Sequence, residues 1–341
     1  MKKIAILIML YFLAYTFSPQ LQTETKSLVQ SKPVQEAVTQ VSNYAADHGW
    51  SEIVQKMLGT TLQVVSGVSS DNPALEKSMR LLENHLQIRL HTLPPVNPSL
   101  KKEQASQTIT LYAGDTGISD ETLKSASSLI TSDSLPIIQN NTNLNPKKET
   151  EVVLYSSPDL YGNALLKAGI SSDEISAIVS QTGGITVDSA IWIPMYNLQG
   201  KDDLANVLTH ELTHVTFNQA GIGTKLPLWL NEGVCWHNGL AAQEKVNSTR
   251  TNRIIKAMTA NLKKTAQNGE LLPLDQIDQS LLSASYNVEF QGYLATEQLI
   301  DKHGLDRFKA FLNQTQRQDV QRSFQQNFGQ SLGEFEKEFT I

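Results

Sequence analysis

The chain has 341 residues, 40% hydrophobic and 18% charged, with 28 Lys and Arg against 34 Asp and Glu for a formal net charge of −6. This apolar content supports a folded core and excludes a chain disordered throughout. No basic block stands out, which argues against a nucleic-acid partner, and a single cysteine, Cys235, excludes an internal disulfide.

The N-terminus, MKKIAILIMLYFLAYTFSPQ, sets Lys2 and Lys3 before an apolar run from Ile4 to Phe17. That charge-then-apolar order is the order of an export signal. At ~1.5 Å per residue the run covers roughly 21 Å of helix, against a hydrocarbon core of ~30 Å. A cleaved signal over residues 1–18 is therefore favoured, and a short membrane anchor is the alternative. Cleavage fits after Thr16, with the small Ala14 at the −3 position. Either reading makes the protein exported: secreted, or held at the cell envelope by its N-terminus.

Residues 19–105 read as an all-α region followed by a linker. Val34, Ala37, Val38, Val41, Tyr44 and Ala45 follow the rhythm of one buried helical face. A second helix is expected from Ser51 to about Val65, and a third from Asn72–Pro73 to His91. The stretch LPPVNPSLKK, Leu93 to Lys102, then breaks the pattern. A prodomain, a cover for a cleft and a packing module are all compatible with these helices.

From residue 106 the texture changes. TITLYA (108–113), EVVLY (151–155) and ITVDSAIWIPM (185–195) are β-branched and aromatic segments, with helices expected between them at about 119–131 and 171–180. After Asp202, read as a helix cap, the pattern is helical almost to the end. Leu204, Val207, Leu208, Leu212 and Val215 form a stripe on the first of these helices. Pro227 opens another at about 227–244, and more follow at about 248–268, 287–303, 304–315 and 331–339. Strands first and helices afterwards indicate an α+β domain over 106–341.

Within the first of these helices LTHELTHVTF, Leu208 to Phe217, carries two histidines four residues apart. On a helix that spacing stacks His210 and His214 on one side, where two imidazole nitrogens can serve one ion at ~2.0–2.1 Å with Glu211 alongside. A structural zinc site wants four protein ligands, whereas a catalytic one wants three and an open position. The third ligand is expected downstream, in LPLWLNEGVCWH. There Glu232 falls in the first two turns of a helix that a tight loop, NQAGIGTK, folds back beside the first.

His210-Glu211-Leu212-Thr213-His214 followed by Trp229-Leu230-Asn231-Glu232-Gly233 resembles the gluzincin zinc peptidases. The second segment is similar to that of the aminopeptidase-N type, and the compact spacing to the peptidase-MA-like family. The resemblance covers roughly residues 106–341. It implies a zincin-like domain, with a small mixed sheet, an active-site helix and a helical C-terminal half. It also implies one zinc ion on His210, His214 and Glu232, Glu211 as general base, and a peptide or protein substrate. The segment GGITVDSAIWIP (183–194) matches in position the edge strand that pairs with substrate in such enzymes; as plain sequence it reads equally well as a core strand.

The pattern departs from the family in places. Where aminopeptidase-like relatives carry an oxyanion-holding tyrosine, alignment on Gly292 puts Glu289, with Tyr286 and Tyr293 nearby. The acidic residue that orients a ligand histidine in thermolysin-like relatives is replaced by Trp236. No segment for binding a free α-amino group precedes the zinc helix, so an endopeptidase is favoured over an aminopeptidase. The rival expectation is a non-catalytic extracellular or envelope-associated binding protein that keeps the fold. Cys235 reads as a small buried hydrophobe and His237 as a surface or supporting side chain.

Overall fold

The computed structural model describes residues 100–341, apart from 171–174, 176–177, 181–182, 188 and 278–285. The export segment, the N-terminal helices, most of the proline-rich linker and much of the helix expected at 171–180 lie outside the described residues. The described part is α+β: a small mixed sheet followed by a largely helical half.

The sheet comprises β1 (Lys102–Gln104), β2 (Ile109–Ala113), β3 (Thr150–Tyr155), β4 (Ile185–Val187) and β5 (Ala190–Pro194), in the order β1-β2-β3-β5-β4. β2, β3 and β5 run parallel, with Leu111 opposite Val152 and Val152 opposite Ile191. The short outer strands are antiparallel to their neighbours. Two expectations change here. Lys102–Gln104, read as the end of a linker, pairs with β2. The segment 185–195, read as one run, is two strands with Val187 opposite Ala190. Period-two alternation sorts the side chains of β3: Val152 and Leu154 go to one core, Val153 and Tyr155 to another on the opposite face.

Between β2 and β3, helix α1 (Asp120–Leu129) passes through a π-helical turn, Ile130–Ser134, into α2 (Leu135–Thr142), so helix continues well past 131. Helix α3 (Pro158–Lys167) covers the β3–β5 face through Tyr161 and Leu165. On the other face lies α4 (Lys201–Ala220), with Leu204, Ala205, Val207, Leu208, Leu212 and Val215 against Ile109, Leu111, Ile191 and Ile193.

The N-cap of α4 is Gly200, not Asp202. Asp202 and Asp203 sit in the first turn, where negative charge suits the helix dipole. Both bind Arg250, with Asp202 Oδ2 at 2.6 Å from Nη1. Arg250 follows a break in α5 (Leu228–Gln267), where Asn247 leaves helical geometry at φ −151° and its side chain accepts from Arg250 N at 3.2 Å. The two expected helices at 227–244 and 248–268 are thus the two arms of α5. Pro227 is its N-cap rather than its first helical residue.

The remaining helices, α6 (Val288–His303), α7 (Leu305–Thr315), α8 (Val320–Phe328) and α9 (Leu332–Glu338), enclose a separate core against α5. It is built on Trp229, Trp236, Phe290, Phe308, Phe311, Phe324 and Phe335. Helix α8, which sequence reading passed over, begins at Asp319, whose side chain accepts from Gln321 N and Arg322 N. The α4–α5 seam lies between the sheet core and this aromatic core.

Candidate metal centre

α4 is buried almost all round from Leu204 to Phe217, a polar sequence for so central a helix. Its threonines explain how it is tolerated: Thr209, Thr213 and Thr216 donate to the carbonyls of Ala205, Thr209 and Leu212, each at 2.7 Å. A hydroxyl satisfied by its own helix carries a much smaller burial penalty. α4 ends at Gly221, left-handed at φ 70°, and the chain turns back into α5. Asn231 Nδ2 donates to Gly223 O at 3.0 Å, tying the turn to the start of α5. The two helices approach closely at Gly239, where a Cβ would lie 2.4 Å from Asn206 Oδ1.

This hairpin brings together the three expected ligands. His210 Nε2 and His214 Nε2 are 3.0 Å apart. Glu232 Oε2 lies 3.4 Å from the first and Glu232 Oε1 lies 3.5 Å from the second. A tetrahedral zinc shell with ligands at 2.0–2.1 Å has donor–donor edges of ~3.3 Å, close to all three separations. Glu232 is 1% exposed, and among the described residues neither of its oxygens takes part in a hydrogen bond. A buried carboxylate in that condition is costly unless a cation offsets it. The donor set therefore fits a divalent ion with nitrogen and oxygen ligands.

Glu211, which follows His210 on α4, is fully buried, its Oε2 accepting from Thr186 Oγ1 at 2.6 Å. Its other oxygen lies against Gly184, where a Cβ would come within 2.8 Å. Both contacts come from the β4 segment, and sequence reading missed both residues. The glycine pair ahead of ITV was the available signal, since glycine beside a strand often marks close approach of another group.

Cys235 is also at the centre. It is fully buried, with Sγ 3.3 Å from His214 Nδ1. His210, His214 and Cys235 each present a ligand atom within 4.8 Å of the others, so this trio could also hold a metal. His237 is turned away, paired through Nδ1 with Glu297 Oε1 at 2.5 Å.

Trp236 packs edge-on to His210, with centroids 6.2 Å apart, and its Nε1 donates to Glu289 Oε2 at 3.2 Å. Glu289 thus supports the indole from α6. The nearby tyrosines are engaged elsewhere. Tyr286 hydroxyl donates to Gln291 Oε1 at 2.5 Å and accepts from Leu272 N at 2.9 Å, and burial pushes its pKa up to about 12. Tyr293 packs on Phe290 in the aromatic core. Trp192 and Trp229 are core residues as well.

No protein-family model matches this chain, and a comparison with curated proteins returned no match.

Proposed function

We propose that the protein is an exported zinc metallopeptidase of the gluzincin type, with a zincin-like domain, acting as an endopeptidase. The observation that carries this reading is the convergence of His210 Nε2, His214 Nε2 and Glu232 at 3.0–3.5 Å, with Glu211 next to His210 in sequence and its carboxylate held by Thr186. Three ligands leave one position open, the arrangement of a catalytic rather than a structural zinc site. A bound zinc ion would lower the pKa of a coordinated water towards 7 and polarise a peptide carbonyl. The chain's own residues supply the rest. His210, His214 and Glu232, from α4 and α5, would hold the ion. Glu211 accepts a proton from water and returns one to the departing amine. Thr186 and Gly184 set the direction of that carboxylate. β4, at one end of the sheet, offers an edge to an extended peptide backbone. The apolar segment near the N-terminus supports export, with either a free or an envelope-attached product.

The test combines zinc content with cleavage of an unfolded protein, for wild type and Glu211→Gln. We expect both proteins to carry one zinc and only the wild type to cleave. Equal cleavage by Glu211→Gln would defeat the mechanism. A second reading, a non-catalytic binding protein retaining the ion site, is favoured by one observation: His210, Glu211, His214 and Glu232 are all 2% exposed or less. Zinc in both proteins with cleavage by neither would decide for it.

A further inference from the structure

Resting on the reading that His210, His214 and Glu232 hold a zinc ion, we propose that Cys235 is the positioning residue that orients His214, and not a fourth ligand. Cys235 follows Glu232 by three residues on α5, so one helical turn faces α4 with both groups. Glu232 meets the Nε2 edge of His214, and Cys235 Sγ meets the Nδ1 edge at 3.3 Å. The two nitrogens of an imidazole point in divergent directions. A sulfur at Nδ1 therefore cannot join the shell of an ion held at Nε2 of the same ring.

The proton positions follow from the neighbours. Asn231 Nδ2 is committed to Gly223 O at 3.0 Å, which turns Asn231 Oδ1 towards the thiol. Cys235 Sγ lies 3.8 Å from that oxygen, within reach of a weak S–H···O bond. An amide oxygen only accepts, so the thiol proton goes to Asn231 and a sulfur lone pair faces His214. His214 Nδ1 must then carry the hydrogen, leaving the Nε2 lone pair directed at Glu232 and His210. The interhelical turn, through Gly223, Asn231 and Cys235, thereby selects the tautomer that can bind metal. Ligand histidines usually give this proton to a carboxylate, carbonyl or water. A neutral thiol is a weaker acceptor, so it fixes the tautomer while drawing less electron density onto the ring.

The experiment measures zinc affinity by chelator competition for the full chain and its Cys235→Ala and Cys235→Ser variants. Thermal melts of the metal-free forms verify folding. Loss of the orienting group should weaken zinc binding about 10- to 100-fold in Cys235→Ala, and the serine hydroxyl should restore most of it. Cobalt(II) bound to wild type should show no thiolate-to-cobalt charge-transfer band. Equal zinc affinity in all three proteins overturns the proposal, as does a charge-transfer band that Cys235→Ser abolishes, which would make Cys235 a ligand. If Cys235→Ala does not fold, Cys235→Val, which fills the space without an acceptor, takes its place in the comparison, and zinc affinity equal to that of Cys235→Ser then overturns the proposal. No zinc binding by wild type defeats both this inference and the metal reading. Zinc binding without peptide cleavage defeats only the peptidase, because affinity is measured without turnover.

Discussion

Thr186 reaches the carboxylate of Glu211 from a neighbouring strand, and both side chains are fully buried. In that setting a hydroxyl donating at 2.6 Å to a charged oxygen contributes more than an exposed hydrogen bond, on the order of 1.5–3 kcal/mol. If Glu211 is the general base, Thr186→Val keeps the shape, removes the donor and lets the carboxylate rotate. We expect kcat to fall about 10- to 100-fold, with zinc content unchanged and Thr186→Ser close to wild type. Steady-state kinetics with metal analysis checks this, and an unaltered kcat in Thr186→Val would remove Thr186 from the mechanism. The convergence of His210, His214 and Glu232 was legible because helical periodicity places the two histidines on one side of α4 and a short loop limits where Glu232 can lie. Thr186 and Cys235 were not, since a threonine in a strand and a cysteine in a helix have no local signature. What assigns them is a contact across 25 residues in one case and 21 in the other.

At the scale of elements, the ligand helix is positioned by glycines. A Cβ on Gly292 would lie 2.1 Å from Trp229 O, and one on Gly233 would lie 2.4 Å from Gly292 O. α5 and α6 therefore meet backbone to backbone one residue from Glu232. Gly292→Ala should separate them, lowering stability by roughly 1–3 kcal/mol or more and weakening zinc binding by displacing Glu232. Melting curves and chelator competition on the same variant check both effects, and a variant with wild-type values for both would mean the helices can part without consequence. The same crossing shows where sequence reading succeeds and where it stops. The helices at 287–303 and 304–315 were found within a residue because Asn287 and Gly304 bound them. β1 was missed because three polar residues at the end of a linker are too few to show a period, and only pairing with β2 makes them a strand. Asp202 was misread as a cap because a carboxylate in the first turn carries the same sequence signal; Arg250, 48 residues away, claims its side chain.

For the whole molecule, the candidate centre occupies the seam between two hydrophobic cores. α4 belongs to the sheet core and α5 mainly to the aromatic core, and the ligands come from both. An ion there would fasten the two halves as well as serve chemistry. At a free zinc concentration a hundredfold above Kd, binding adds about 2.7 kcal/mol to stability. For a domain of this size chelation should lower the thermal midpoint by roughly 5–10 °C, with little change in far-ultraviolet dichroism below the transition. Calorimetry with and without chelator checks this; coincident melts would argue that no ion bridges the seam. The α+β class was legible from the change of period along the chain. The division into three cores was not, because nothing local indicates which layer an apolar side chain will join.

The edge-on contact between Trp236 and His210 gives the molecule an optical reporter of its own. An indole next to an imidazole loses emission when that ring is protonated and changes again when a metal takes its lone pair. The chain has four tryptophans, so the difference in emission between wild type and Trp236→Phe isolates this indole, and that difference registers the state of the centre without any added dye. Occupancy of the purified protein, in a titration or during refolding, then becomes a matter of light rather than of chemistry.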